Sequence, residues 1–127
     1  ATVAVSMSEP DAGTALTDFA ANAILPAISR VPPPFDPVAG FTPVVLVAFA
    51  PSVLVVNAER IAARNLADLI AHIRARTGQL NCASGGTGTS LHLAMEMLML
   101  RAGLSMTHVP YRGSSEAILA VLNGTVD

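Results

Sequence analysis

Three glycines set the layout of the second half of this chain. Gly78, Gly103 and Gly124 each follow an apolar run of helical length. They stand where a helix commonly ends on a left-handed residue, a conformation that glycine enters without strain. Asn65 caps one run with Asp68 three residues on, and Leu66, Leu69, Ile70 and Ile73 form its apolar stripe. Gln79–Ala83 then reads as a strand, Ser90–Ala102 as a helix, Met106–Tyr111 as a strand and Ser115–Leu122 as a helix. Helix–strand–helix–strand–helix with short connections implies an α/β fold with a parallel sheet flanked by helices and right-handed crossovers.

In such sheets ligands bind beyond the carboxyl ends of the strands. Two turns follow strand ends here, 84–90 and 112–115, so both are expected on one edge. Ala83-Ser84-Gly85-Gly86-Thr87-Gly88-Thr89-Ser90 is rich in glycine and hydroxyls. A loop of this kind can turn several N–H groups toward one point, and the following helix adds open donors and a positive dipole end. That arrangement favours a carboxylate or a phosphate. The competing reading is a plain strand-to-helix turn with a good N-cap. A P-loop needs Gly-Lys-Ser/Thr, but the seven basic residues are all arginine, which also removes Schiff-base chemistry. Gly86 and Gly88 make only half of a dinucleotide fingerprint, and G-x-S-x-G is missing. A small carboxylate survives as the preferred ligand.

The first half is less regular. Ala1–Val5 reads as a strand, Glu9–Gly13 as a loop and Thr14–Ile28 as a helix with Leu16, Phe19, Ala20 and Ala23 on one face, limited by Pro26. Pro32–Pro37 is an extended connector. Phe41–Ala48 and Ser52–Asn57 read as valine-rich strands of a sheet covered on both faces. The hydrophobic fraction is 52% and the charged fraction 13%, yet Val44–Val56 is broken by Pro51 and falls short of the ~20 residues that span a bilayer. A net charge of −2 without basic clusters argues against nucleic acid. The chain opens without an initiator Met or a signal-peptide pattern. Gly124-Thr125-Val126-Asp127 reads as the start of a further strand, and both ends are expected to be cut.

Other chemistry is sparsely represented. His92 and Glu96 share a helix face but have no third metal ligand at sensible spacing, since His72 and His108 fall on other elements. Met95, Met97, Met99 and Met106 read as packing, and Cys82 as a buried thiol. A serine hydrolase using Ser84 or Ser90 would need a base and an orienting acid, and His92 is too near along the helix. No metal, cofactor or catalytic residue is expected.

Three segments together resemble one family. They are Leu80–Leu93 with its Ser-Gly-Gly-Thr-Gly-Thr-Ser-Leu-His-Leu core, Thr107-His108-Val109-Pro110-Tyr111-Arg112-Gly113, and Leu122–Asp127. Upstream, Phe35-Asp36-Pro37, Phe41-Thr42-Pro43-Val44 and Val53–Asn57 fit the same pattern. The chain resembles, over about residues 20–127, the Bug family of extracytoplasmic solute receptors of tripartite tricarboxylate transporters. Arg112 stands for the family's commoner Lys and Ser114 for a frequent Gly, while residues 6–19 depart from the pattern. The resemblance implies a periplasmic-binding-protein-like (type II) lobe at 58–127, with 1–57 a partial first lobe and crossover segment. It implies a non-enzymatic periplasmic protein that captures a small carboxylated metabolite and meets the membrane components of the transporter. It further implies that Ser84, Gly85, Gly86, Thr87, Gly88, Thr89 and Ser90 contact a ligand carboxylate, with Gly113 and Ser114 lining the same cleft. The first-lobe glycine loop has no counterpart here.

Two alternatives to a solute receptor stand beside it: a truncated interaction domain that self-associates without binding solute, and a small serine hydrolase. If residues 1–57 lack sheet neighbours, their exposed edges and apolar area favour a homodimer through that region.

Overall fold

The computed structural model describes residues 2–9, 11, 13–18 and 20–127. The chain divides into two compact units, 1–51 and 52–127.

In the first unit α1 spans Thr2–Ser6 and α2 spans Ala21–Ile28. The expected opening strand is therefore helical over 2–5, with Ala1 outside the described residues. A lone strand leaves its N–H and C=O groups unpaired, whereas a helical turn pairs them locally. The hydroxyls of Ser6 and Ser8 add bonds to the carbonyls of Val3 and Val5 at 2.9 and 2.7 Å. The helix expected over 14–28 forms only from residue 21, and Phe19, placed on its apolar face, lies outside the described residues. So do Pro10 and Ala12 of the expected 9–13 loop, where Asp11 accepts the Gly13 N–H at 2.8 Å. After the prolines, Asp36 folds the chain back, its carboxylate taking the N–H groups of Val38 and Ala39 at 2.7 and 2.8 Å. Phe35 and Phe41 close this turn edge-to-face at 5.7 Å. An open cavity of ≈ 450 Å³ is lined by Thr2, Asn22, Leu25 and Phe35 among others, without a cluster of reactive side chains.

The two valine-rich strands expected at 41–48 and 52–57 do not form. Both segments are irregular, with Val44 at 88% exposure and Phe49 at 87%. β-Propensity reflects packing against a neighbouring strand, and no ladder partner stands beside these valines among the described residues.

In the second unit α3 is Leu66–Arg74, β1 Asn81–Ser84, α4 Ser90–Ala102, β2 Thr107–Pro110 and α5 Ser114–Leu122. β1 and β2 pair in parallel with Asn81 against Thr107 and Ser84 against Pro110. This is a mixed α/β arrangement with a small parallel sheet flanked by helices. Asn65 caps α3 by accepting the Asp68 N–H at 2.9 Å. Gly103 ends α4 in the left-handed region at φ 63°. α3 stops at Arg74, a turn earlier than Gly78 implies, because Gly78 (φ 74°) serves the following turn and donates to Ser105 O at 3.0 Å. Ile61, Leu69, Ile73 and Leu80 form the buried core, with Val56, Leu104 and Met106 packed on it.

A polar knot anchors the entry into this unit. Asn57 donates its N–H to Asp127 O at 3.1 Å and its side-chain amide to Val121 O at 2.8 Å. The Asp127 carboxylate, nearly fully buried, pairs with Arg60 at 3.0 Å and accepts the Asn81 N–H at 3.0 Å. Arg60 also donates to Gly124 O. Among the described residues every buried side-chain nitrogen and oxygen has a hydrogen-bond partner, as the cost of an unmade bond requires.

Candidate functional site

Parallel pairing puts the carboxyl ends of β1 and β2 side by side, and the loop that follows each strand meets the other. Gly85 lies close against the start of α5. A Cβ on it would lie 3.1 Å from the Ser114 N and 3.3 Å from the Gly113 carbonyl carbon. Gly86, at φ 127°, passes beside Tyr111 O. A side chain at Gly85 would crowd the start of α5, while one at Gly86 would fit the space but be strained by its positive φ. Loop 84–90 and the start of α5 therefore share one edge, as the strand-end rule requires.

The donors of loop 84–90 divide into two sets. Gly86 N–H donates to Ser84 Oγ at 3.2 Å, Gly88 N–H to His92 Nδ1 at 3.2 Å, and Thr89 N–H to Gly86 O at 3.4 Å. These three turn inward, so the loop does not present every N–H of 86–90 to a single point. The N–H groups of Thr87 and Ser90 donate to no protein acceptor among the described residues, and neither does that of Leu91 in the first turn of α4. Thr89 caps α4 by accepting the His92 N–H at 3.3 Å. Thr87 and Ser90 are exposed, while Gly88 is buried.

The N-cap of α5 is Gly113, which has no side-chain cap, so the first-turn donors from Ser114 onward are open. Ser114 is exposed beside Gly85. Glu116, in that first turn, bends its carboxylate back to the Arg112 N–H at 3.2 Å. The open donors of α4 and α5 thus sit at adjoining loops, where two positive dipole ends reinforce one another.

Ser84 has a different place from its loop neighbours. It is 2% exposed, and its Oγ lies 2.8 Å from His108 Nε2 and 3.2 Å from Gly86 O. A serine beside a histidine is half of a nucleophile–base pair. An attacking hydroxyl must nevertheless reach a substrate, and this one is enclosed. The hydrolase reading has no support. His92 and His108 stack at 4.1 Å with 24° between their planes. Burial first, and His92 second, hold the His108 ring below its ordinary value, while Glu96 pulls the other way. Burial pushes the Cys82 thiol up, and Glu96 adds to it. Glu96 lies 3.5 Å from His92 Nε2, and no group of three metal-ligating side chains occurs among the described residues.

Two features escaped the sequence reading. His92 engages Gly88 through the four-residue offset of a helix turn, a spacing that could have been read. The Ser84–His108 bond needed the strand register, which pairs Cys82 with His108.

The receptor model of the tripartite tricarboxylate transporter family matches the whole chain, residues 1–127. The chain belongs to this family, which is one of receptors and not of enzymes. It is 46% identical over 94 residues to a UPF0065 protein encoded between tcbD and tcbE in a Pseudomonas species, covering 74% of this chain and 28% of that protein. It is 32% identical over 126 residues to protein BugT of Bordetella pertussis, covering 98% of this chain and 38% of BugT. The chain thus spans between about a quarter and two fifths of the length of these relatives. No helix among the described residues is long and apolar enough to cross a membrane.

Proposed function

We propose that residues 58–127 form the ligand-gripping part of the second lobe in a periplasmic solute receptor of type II binding-protein architecture. Residues 1–57 belong to the first lobe and the crossover, and the receptor delivers a small carboxylated metabolite to the membrane components of a tripartite transporter. One observation carries the reading: the close approach of Gly85 to Gly113 and Ser114, which joins the open donors of α4 and α5 on one strand-end edge. Family membership supports the ligand class, since the family's name is that of a tricarboxylate transporter.

The site residues take separate roles in this reading. Thr87, Ser90 and Ser114 meet the carboxylate with N–H and hydroxyl groups. Gly85, Gly86, Gly88, Thr89 and Gly113 shape the two loops, and Ser84 braces them from inside. Thermal unfolding with citrate and a panel of dicarboxylates tests the proposal. A ligand that binds only the folded chain raises the midpoint in proportion to its saturation. Thr87→Pro, which removes one open donor, should weaken the best ligand by about 1–3 kcal/mol. A panel that leaves the midpoint unmoved, or a Thr87→Pro variant that binds as well as the parent, overturns it.

Exposure of Val44, Val45, Leu46, Val47 and Phe49, each at 74% or more, favours self-association through residues 1–57. An apolar run of this size gains by leaving water, and a second copy supplies an identical run.

A further inference from the structure

Two histidines touch the glycine loop, and the reading above gives them no task. His92 comes from the first turn of α4 and accepts one loop donor directly, while His108 comes from β2 and reaches a second through Ser84. Gly88 N–H donates to His92 Nδ1 at 3.2 Å. His108 Nε2 lies 2.8 Å from Ser84 Oγ, the group that accepts the Gly86 N–H. A ring nitrogen that accepts carries no proton, so in this arrangement the His92 proton sits on Nε2, facing Glu96 at 3.5 Å.

We propose that the His92–His108 stack is a proton-sensitive latch on loop 84–90, and that an anion bound at the loop is taken up together with a proton, the second half of which rests on the carboxylate-binding reading. A proton on His92 Nδ1 sets two donors face to face. Gly88 N–H then loses its acceptor and turns outward, with an imidazolium beside it. Positive charge on one ring opposes charge on the other at 4.1 Å, so the pair takes one proton rather than two. An anion at the loop stabilises that proton, and by linkage the proton strengthens the anion.

The groups around the two rings come from α4, β1 and α5. Burial and His92 disfavour charge on His108, against Glu96 of α4. Cys82 of β1 has its thiol pushed up and brings no charge. On α5, Glu116 is engaged by the Arg112 N–H, and Arg112 itself is exposed. His92 and His108 are therefore positioning residues for the donors of the loop.

The test uses the whole chain, labelled with nitrogen-15, between about pH 8 and pH 5.5. Without ligand, the Gly88 amide and the His92 ring should shift with one midpoint. Oxalate, doubly ionised throughout that range, is then titrated at each end by calorimetry in buffers of different ionisation heat. The expected result is binding at least ~5-fold tighter at the acid end, with net proton uptake. Both effects should vanish in His92→Asn, whose amide oxygen stands where Nδ1 stood and still accepts from Gly88 but takes no proton. A Gly88 amide that ignores the His92 titration overturns the latch even if oxalate binds. A Gly88 amide that follows it, with neither oxalate nor the citrate and dicarboxylate panel binding at either pH, leaves the latch standing and sinks the carboxylate reading. Equal oxalate binding at both ends overturns the coupling.

Discussion

Gly85→Ala tests whether the two loops meet as described. The backbone at Gly85 is outside the left-handed region, so alanine is sterically permitted there and only its new methyl matters. That methyl would stand 3.1 Å from Ser114 N, 3.3 Å from the Gly113 carbonyl carbon and 3.3 Å from Ser114 Oγ. Two of the three are backbone atoms, which cannot swing away as a side chain can, so the start of α5 must retreat by a few tenths of an ångström. Overpacking of this kind costs about 1–3 kcal/mol. Restricting the unfolded chain returns about 0.4–1 kcal/mol. The net loss is about 0.5–2 kcal/mol, read as a lower urea midpoint at unchanged slope. Gly85→Val should cost more, because its branches have nowhere to turn. An alanine variant as stable as the parent, or more stable, would show that Gly85 and Gly113–Ser114 are not in contact.

Other consequences follow from the same geometry. Asp127→Ala leaves the Asn81 N–H without its acceptor and should destabilise the second unit by about 1–3 kcal/mol; the Arg60 half of the pair is 50% exposed and adds little. Urea unfolding of Asp127→Ala checks this, and a loss below a few tenths of a kcal/mol contradicts the knot. His108 is held below its ordinary value of 6.5, so on acidification the unfolded chain takes up this proton first. Its contribution to stability is complete above about pH 6.5 and is lost as pH falls through the lowered folded value. Urea midpoints at about pH 7.5 and 5.5 should therefore differ, and less so in His108→Gln. A wild-type midpoint independent of pH would refute this. Sedimentation should find the chain associated at micromolar concentration, with Val45→Glu and Val47→Glu together shifting it toward monomer; a wild-type monomer ends that reading.

The parts of the fold legible in the sequence are those set by local rules. The Asn65–Asp68 cap, the Gly103 stop and the parallel pairing of β1 with β2 depend on short spacings and on alternation that one sequence carries. Phe41–Ala48 and Ser52–Asn57 misled because valine favours a strand only where another strand stands beside it, and a composition cannot show the neighbour. The N-terminal segment failed for the same reason. The glycine positions pointed to the edge where the two loops meet, because close approach at Gly85 and positive φ at Gly86 admit few other residues. The allocation of donors was not legible. Whether Gly88 N–H faces inward or outward depends on one ring at His92. The partner of Ser84 Oγ is 24 residues away, across a strand register that no periodicity specifies.

The proposed function requires the loops after β1 and β2 to form one carboxylate-binding edge. Amide chemical shifts of the nitrogen-15-labelled chain during a citrate titration at neutral pH test it most directly. The prediction is a saturable set of shifts confined to residues 87–92, Ser114 and Ser115, residues from both loops moving with a single dissociation constant. Shifts limited to one loop, or spread over residues elsewhere, would contradict it.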